Sequence, residues 1–334
     1  MVRLRQGLCP GLTADVVAVL RGNNISTDSA CCASRAAGSV RRVPEQRGGC
    51  LRGAAVVHGY PSHGLLAVSA APRPGRLDSL LDSGLYTGEL TELAGGPATG
   101  KTQVCLSVAV TVACDLGQAV MLVMTGGAAG CLASRLLAMV QGKTPDSGAS
   151  QVAALQRVQV ARVFDAFALL DLLQDLRARL ETQVPVTPGS GGADSSVLRL
   201  LVIDSVAAVI SPVLTTERHD GLALLMHIGR ELKSIAKEHA LAVLVTNWVW
   251  REDGGRSMPS LGRAWSFLPN VRVLLEREGE RLGGGVRAGG GGCHGVGREG
   301  GGTLVCRATL LKSSRQATGQ SVSLSVGALG VLDS

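Results

Sequence analysis

The most informative segment of the chain reads Gly95-Gly96-Pro97-Ala98-Thr99-Gly100-Lys101-Thr102. It matches the pattern G-x-x-x-x-G-K-[ST] of the Walker A phosphate loop. Residues 88–93 before it alternate as a short strand would, and residues 102–114 after it are apolar and free of Gly and Pro, as a helix would be. Because the motif requires this context of strand, loop and helix, a glycine-rich turn that matches by chance is the weaker interpretation.

The residue types in this loop suit a nucleoside triphosphate. Glycines let backbone N–H groups turn inward around an anion, and the start of the helix adds unpaired donors and a positive dipole end. Lys101 is predicted to reach the β- and γ-phosphates, and the Thr102 hydroxyl to bind Mg²⁺. We therefore predict ATP and Mg²⁺ as cofactors. The predicted nucleotide-binding residues are Gly95, Gly96, Pro97, Ala98, Thr99, Gly100, Lys101, Thr102 and Gln103.

A second motif lies about a hundred residues further along the chain. Residues 200–204 read Leu-Leu-Val-Ile-Asp, the Walker B form of a buried strand that ends in a carboxylate. Asp204 is expected at the carboxyl end of that strand, where open α/β sheets bind ligands and where it would hold Mg²⁺ with Thr102. A strand that ends in Asp is common, but its place after a Walker A loop makes the pattern specific. Lys101 and Asp204 are the predicted catalytic residues.

Hydrolysis also requires a group that orients the attacking water. RecA-like ATPases carry a carboxylate just after the strand that follows the phosphate-loop helix. Here residues 124–130 read Met-Thr-Gly-Gly-Ala-Ala-Gly. The sequence therefore predicts ATP binding with weak ATPase activity, and a non-hydrolysing nucleotide-binding scaffold is the alternative. A phosphotransferase is disfavoured, because no lid arginine cluster or acceptor pocket can be recognised.

Composition sets broader limits. The chain has 334 residues, enough for one or two domains, and 46% are apolar with few aromatics. The net charge of +7 permits nucleic acid as a partner without requiring it. Nine cysteines without a CxxC pair favour a reducing compartment, and Cys293-His294 lacks partner ligands for a metal. No apolar run is long enough to span a membrane, and an Arg-rich transit peptide is disfavoured.

Strands and helices alternate over most of the chain. Apolar runs predict strands at residues 119–124, 158–163, 198–203, 241–245 and 271–275, with helices between them, and residues 304–311 and 321–326 alternate like antiparallel edge strands. We predict an α/β fold with a mostly parallel central sheet flanked by helices. The core is assigned to residues 77–334, with flexible inserts at 184–196 and 279–302. Residues 1–76 are predicted to be a small, degenerate N-terminal helical region and a linker, partly disordered.

Several blocks of sequence, in order, identify a family. They are Gly7-Leu8-Cys9-Pro10-Gly11-Leu12-Thr13, Gly84-Leu85-Tyr86-Thr87-Gly88-Glu89, Gly100-Lys101-Thr102-Gln103-Val104-Cys105-Leu106, Thr246-Asn247, Leu261-Gly262-Arg263-Ala264-Trp265-Ser266-Phe267 and Leu311-Lys312-Ser313-Ser314-Arg315-Gln316. Together they resemble the D-type (delta) paralogues of the eukaryotic RecA-family strand-exchange recombinase, and the resemblance implies a RecA-type P-loop ATPase core. Residues 26–76 and the glycine tract at 283–302 depart from that family.

The resemblance implies a function. Members of this family are nuclear proteins of homologous-recombination repair, acting at DNA double-strand breaks and stalled forks. They bind ATP and single-stranded DNA and join a heteromeric complex with the C-type paralogue and the small X-ray-repair cross-complementing paralogue. The family's phosphate-loop residues carry over to Gly95, Gly100, Lys101 and Thr102, and its metal-site carboxylate to Asp204.

The resemblance also implies two DNA-facing loops, at residues 211–220 and 248–263. In the second loop we predict that Arg251, Arg256 and Arg263 contact DNA phosphates, unless they are merely solvated. The tryptophans at 248, 250 and 265 are candidates for base stacking or, alternatively, for core packing. Residues 312–315 either reach a phosphate across a subunit interface or form a solvated turn. Phe164 and Phe167, at helical spacing with Leu170 and Leu173, are predicted to pack in the core.

Overall fold

The computed structural model describes residues 14–22, 65–66, 76–126, 129–144, 147–182, 197–214, 220–251, 257–278, 303–327 and 329–332. The helices are α1 Ala14–Gly22, α2 Arg76–Leu80, α3 Lys101–Cys114, α4 Ala129–Lys143, α5 Gly148–Gln156, α6 Ala166–Thr182, α7 Val206–Leu214, α8 Asp220–Glu238 and α9 Gly262–Ser266. The strands are β1 Leu65–Leu66, β2 Leu85–Tyr86, β3 Leu90–Gly95, β4 Ala119–Met124, β5 Val158–Arg162, β6 Leu198–Asp204, β7 Ala242–Arg251, β8 Ser257–Pro259, β9 Val271–Arg277, β10 Leu304–Lys312, β11 Ser321–Gly327 and β12 Gly330–Leu332.

One large sheet organises the molecule. Its order is β12-β11-β10-β9-β3-β7-β6-β4-β5, and β8 pairs with β7 off this path. From β9 to β5 every neighbouring pair is parallel, whereas β9 to β12 pair antiparallel. The predicted α/β core with a mostly parallel central sheet and antiparallel edge strands is therefore confirmed. The inserts predicted at 184–196 and 279–302, and most of residues 1–76, lie outside the described residues.

Helices cover both faces of the sheet. Alternate strand residues such as Leu122 and Val202 pack with α3, α4 and α5, while Val123 and Ile203 pack with α6, α7 and α8. Both side-chain directions are therefore buried, which explains why the central strands read as continuous apolar runs. The phosphate loop lies at the carboxyl end of the central strand β3, next to the carboxyl ends of β7 and β9.

Two features differ from the sequence prediction. Helix α5, which begins after the N-cap Ser147, was not predicted, although its cap hydroxyl accepts a hydrogen bond from the Ser150 N–H. Core packing of Phe164 and Phe167 is wrong, since their side chains are 68% and 63% exposed. Helix α6 begins only at Ala166, and its inward face is formed by Ala166, Leu169, Leu173 and Leu176. The helical spacing predicts a helix here correctly, but it assigns the wrong side chains to the face that packs in the core.

Candidate nucleotide-binding site

The phosphate loop requires glycine at two positions. Gly100 has a φ of 88°, in the left-handed region that glycine adopts without strain, and α3 begins at the next residue. A Cβ on Gly95 would lie 2.6 Å from the Leu275 carbonyl oxygen and 2.8 Å from Thr99 Oγ1. The loop is therefore pressed against β9 on one side and passes into the helix N-terminus on the other. This is the local geometry that presents backbone N–H groups to an anion.

Lys101 lies inside the loop. Its buried side chain donates from Nζ to the carbonyl oxygens of Gly95, at 2.8 Å, and of Gly96, at 2.6 Å. Burial lowers the pKa of Lys101, and the negative charge of Asp204 partly offsets that effect. These hydrogen bonds hold the ammonium group at the place where the phosphates of a nucleotide would bind.

Asp204 joins the two Walker motifs. Its Oδ2 accepts a hydrogen bond of 2.5 Å from Thr102 Oγ1, and its Oδ1 accepts one of 2.6 Å from Thr246 Oγ1. A hydroxyl and a carboxylate are hard oxygen donors, which Mg²⁺ prefers. The described residues contain no cluster of three or more His, Cys, Asp or Glu suited to a metal. The structure brings Thr102 and Asp204 together; metal ligation by them stays a prediction.

Thr125 lies in the segment 124–130, in which the sequence lacks the carboxylate expected of a RecA-like ATPase. Its hydroxyl donates to the Ser205 carbonyl oxygen at 2.9 Å and accepts from the Ser205 N–H at 2.7 Å. Both interactions tie the end of β4 to the residue after Asp204. Among the described residues that line the cavity at this site, Asp204 is the only carboxylate.

The cavity above the phosphate loop has a volume of about 620 Å³. Its apolar lining includes Leu106, Met124, Leu132 and Val160. Arg135 of α4, Arg162 of β5 and Trp248 of β7 also line it. The sequence did not point to either arginine as a site residue, because no motif marks them and only the packing of α4 and β5 brings them to the loop.

The predicted DNA-binding residues lie in the part of the chain from the end of β7 to α9. Strand β7 continues past the sheet and forms a two-stranded ribbon with β8, in which Trp250 pairs with Met258 and Arg251 with Ser257. Arg251 is the last residue of β7, Arg263 is exposed on α9, and Arg256 lies outside the described residues. DNA contact by these three arginines stays a prediction.

The three tryptophans divide between the two alternatives. Trp265 is fully buried and donates from Nε1 to Glu92 at 3.0 Å, so core packing is correct for it. Trp248 and Trp250 are 46% and 64% exposed. Of the three tryptophans, only Trp248 and Trp250 therefore remain available for stacking on bases.

Arg315 corrects a further expectation. Its guanidinium forms an ion pair with Glu89 and a longer one of 3.5 Å with Asp82. It also lies 3.5 Å from the ring centroid of Tyr86. Arg315 is therefore engaged within its own chain and is not a solvated turn residue, whereas a phosphate contact across a subunit interface stays a prediction.

Lys312, at the end of β10, is engaged in a similar way. Its Nζ donates to the carbonyl oxygens of Ser266, at 3.0 Å, and of Phe267, at 3.2 Å. This ammonium thus holds the carbonyl groups at the end of α9, and the segment 312–315 serves to fix neighbouring elements.

Comparison with known proteins adds a second line of information. The model of the Rad51 family matches residues 66–264. The chain is 40% identical to mouse DNA repair protein RAD51 homolog 4, over 99% of this chain and 96% of the relative, and 41% identical to the bovine protein of that name, over 98% and 96%. It is 33% identical to DNA repair protein RAD51 of Saccharomyces cerevisiae over 54% of this chain and 42% of the relative. None of the described helices has the length and apolar character needed to cross a membrane.

Proposed function

Because the chain belongs to the Rad51 family, we propose that it is a D-type recombination paralogue that binds ATP and Mg²⁺ and acts in homologous-recombination repair of DNA. The D-type assignment is supported by the near full-length similarity to the mouse and bovine proteins. The nucleotide part rests on one observation above all, the contact of Thr102 with Asp204 beside the buried Lys101. That contact assembles both Walker motifs into one pocket.

The residues of the pocket suit an adenine nucleotide. A triphosphate would be held by the loop, with its negative charge met by Lys101 and the N-terminus of α3. The adenosine would meet the apolar lining of the cavity, which includes Leu106, Leu132 and Val160. Arg135 also lines the cavity, and a planar guanidinium is suited to stack on a base. Mg²⁺, when bound, would neutralise phosphate charge next to Thr102 and Asp204.

The residues around the γ-phosphate position favour binding over turnover. The Thr125 hydroxyl is engaged with Ser205 on both sides, and no second carboxylate lines the described part of the cavity. Nothing in this arrangement activates a water for attack, so weak ATPase activity is expected. The nucleotide then acts mainly as an assembly or conformational switch. A scaffold without any hydrolysis is the second candidate, which the same engagement of Thr125 favours.

Single-stranded DNA is the proposed nucleic-acid ligand. The ribbon of β7 and β8 presents Trp250 for stacking, and Arg251, Arg256 and Arg263 supply cations for phosphates. Sister paralogues of the C type and of the small X-ray-repair cross-complementing type are the proposed protein partners. The nucleus is the proposed location, in keeping with a DNA repair function of the relatives named above.

The test compares wild type with Lys101→Ala in nucleotide binding and in pull-downs of the two sister paralogues, with and without ATP. Lys143→Ala is the matched control, since Lys143 is an exposed lysine paired with Asp115. We expect Lys101→Ala alone to lose ATP binding and ATP-dependent assembly. Single-turnover assays then separate the two candidates, because measurable product from wild type but not from Lys101→Ala supports the weak ATPase. Wild type that fails to bind ATP would reject the proposal.

A further inference from the structure

Glu92 is a carboxylate in the core. It lies on β3, three residues before Gly95, and its side chain is fully buried. It accepts hydrogen bonds from Asn247 Nδ2 at 2.7 Å and from Trp265 Nε1 at 3.0 Å, and it forms an ion pair with Arg272 Nε. A buried charge is tolerated only when it is paired and hydrogen-bonded in this way. Glu92 thus connects β3 with β7, α9 and β9.

Two successive residues of β7 contact two different acids. Thr246 holds Asp204, and Asn247 holds Glu92. Successive side chains of a strand point to opposite faces, so the middle of β7 is fixed from both sides. Asp204 of the Walker B strand and the buried Glu92 are therefore linked through two consecutive residues of β7, Thr246 and Asn247.

This middle part of β7 is also the root of the ribbon, because the pairing with β8 begins at Val249. Asn247 Oδ1 accepts a hydrogen bond of 2.7 Å from Ser260 Oγ, and the Ser260 N–H donates to the Trp248 carbonyl oxygen at 2.8 Å. Trp248 pairs in register with Gly95 of the phosphate loop and lines the cavity. Ser260, just after the ribbon, is thus hydrogen-bonded to Trp248 and Asn247, just before it. Asn247 is in turn hydrogen-bonded to Glu92.

We propose that Glu92 is a positioning residue for the nucleotide site, acting through Asn247 on Thr246, Trp248 and the root of the ribbon. The proposal rests on the nucleotide binding proposed above. Glu92 touches no nucleotide itself. Its charge holds Asn247 in the orientation that keeps the Thr246 hydroxyl on Asp204 and the Trp248 indole at the cavity wall. Without that charge the middle of β7, which pairs with β3 next to the phosphate loop, is free to shift relative to the loop.

A general loss of stability has to be separated from this role. Glu89→Gln is the matched control, because it removes an ion pair with Arg315 just before β3 and has no contact with Asn247 among the described residues. Glu92→Gln keeps the size of the side chain and removes the charge that faces Arg272. Asn247→Ala breaks the link from the other side and leaves the Glu92–Arg272 pair in place, so it serves if Glu92→Gln does not fold.

The experiment measures the affinity for a non-hydrolysable ATP analogue with and without Mg²⁺, in full-length wild type and the three variants. Losing a residue that orients a metal-site ligand typically weakens metal-dependent affinity about tenfold or more. We expect a loss of about that size for Glu92→Gln and Asn247→Ala in Mg²⁺, a smaller loss without Mg²⁺, and no change for Glu89→Gln. Equal affinities in all variants, or losses that follow unfolding midpoints alone, would overturn the proposal.

A second measurement does not depend on nucleotide. Amide hydrogen exchange of residues 247–251 and 257–260 is followed in the free proteins, with exchange in β4 as the internal reference. We expect Glu92→Gln and Asn247→Ala to accelerate exchange at the ribbon root and to leave β4 unchanged. If wild type binds no nucleotide, the proposed function fails while this measurement still tests the role of Glu92 at the ribbon root. Unchanged exchange there in both variants would refute that role.

Discussion

Thr102 and Asp204 are joined by a hydrogen bond of 2.5 Å, although 102 positions separate them in the sequence. The bond lies between the first turn of α3 and the end of β6, two elements that reach one another only because their strands share a sheet. With Thr246 on the other carboxylate oxygen, Asp204 is held by two hydroxyls. A metal that enters this site would meet a carboxylate whose orientation is already fixed.

Replacing that carboxylate by an amide should weaken magnesium-dependent binding. Asp204→Asn keeps the shape but removes the charge, and we expect the affinity for Mg²⁺-ATP to fall about tenfold or more, equivalent to about 1.4 kcal/mol or more. Titration calorimetry with and without Mg²⁺ measures the change. Asp175→Asn, on the exposed side of α6, is the control and should bind as wild type does. Equal affinities for wild type and Asp204→Asn would contradict a role of Asp204 at the metal.

The first two glycines of the phosphate loop should differ in their tolerance of a methyl group. Gly95→Ala would place its Cβ 2.6 Å from the Leu275 carbonyl oxygen, whereas the nearest atom to a Cβ on Gly96 is 3.9 Å away. Because the backbone oxygen of β9 cannot move independently of the sheet, we expect Gly95→Ala to displace the loop and abolish ATP binding. Gly96→Ala should bind within a few-fold of wild type. The reverse order in a nucleotide-binding assay would show that the loop geometry is wrong.

Arg315 should contribute to stability and not to nucleotide binding. Arg315→Ala leaves Glu89 without its partner and removes the stacking on Tyr86, so we expect a loss of about 1–3 kcal/mol in the free energy of unfolding. Arg307→Ala removes an exposed arginine with a long contact of 3.5 Å to Glu278 and should change it by less than about 0.5 kcal/mol. Urea denaturation provides both values. An Arg315→Ala protein that is fully stable but deficient in ATP-dependent assembly would instead favour a role at an interface.

The cysteines of the core should resist alkylation in the folded protein. Burial raises the pKa of Cys114 and of Cys306 to about 11, and burial together with the charge of Asp204 raises the pKa of Cys105 well above its usual value. Below these pKa values the groups stay protonated, and the thiol is a poor nucleophile compared with the thiolate. At pH 8 we expect iodoacetamide to spare these three sites until urea is added, as peptide mass spectrometry can record. Rapid labelling of Cys105 without denaturant would mean that its side chain on α3 is accessible to solvent and not buried.

Local patterns in the sequence were sufficient for much of the fold. The strand at 119–124 and the Walker strand were predicted nearly to the residue, because a strand buried on both faces must be apolar at almost every position. The loop and its helix were predicted because glycine, lysine and threonine are required there for local reasons of backbone geometry and charge. The displaced face of α6 shows the limit of this reasoning. Helical spacing identifies a helix, but the residue at which the helix begins decides whether Phe167 or Ala166 points inward.

The phosphate loop, the carboxylate strand and the alternating α/β core could thus be predicted from the amino-acid sequence, since each depends on residues that are close neighbours in the chain. The folded arrangement was needed to show that Glu92 is buried against Asn247 and Arg272, that Arg315 binds Glu89 and that Arg135 lines the cavity. The partners in those contacts are far apart in sequence and carry no spacing that marks them. Glu92, Asn247 and Arg272 meet because β3, β7 and β9 are parallel neighbours in the sheet, whereas Arg315 follows the antiparallel strand β10.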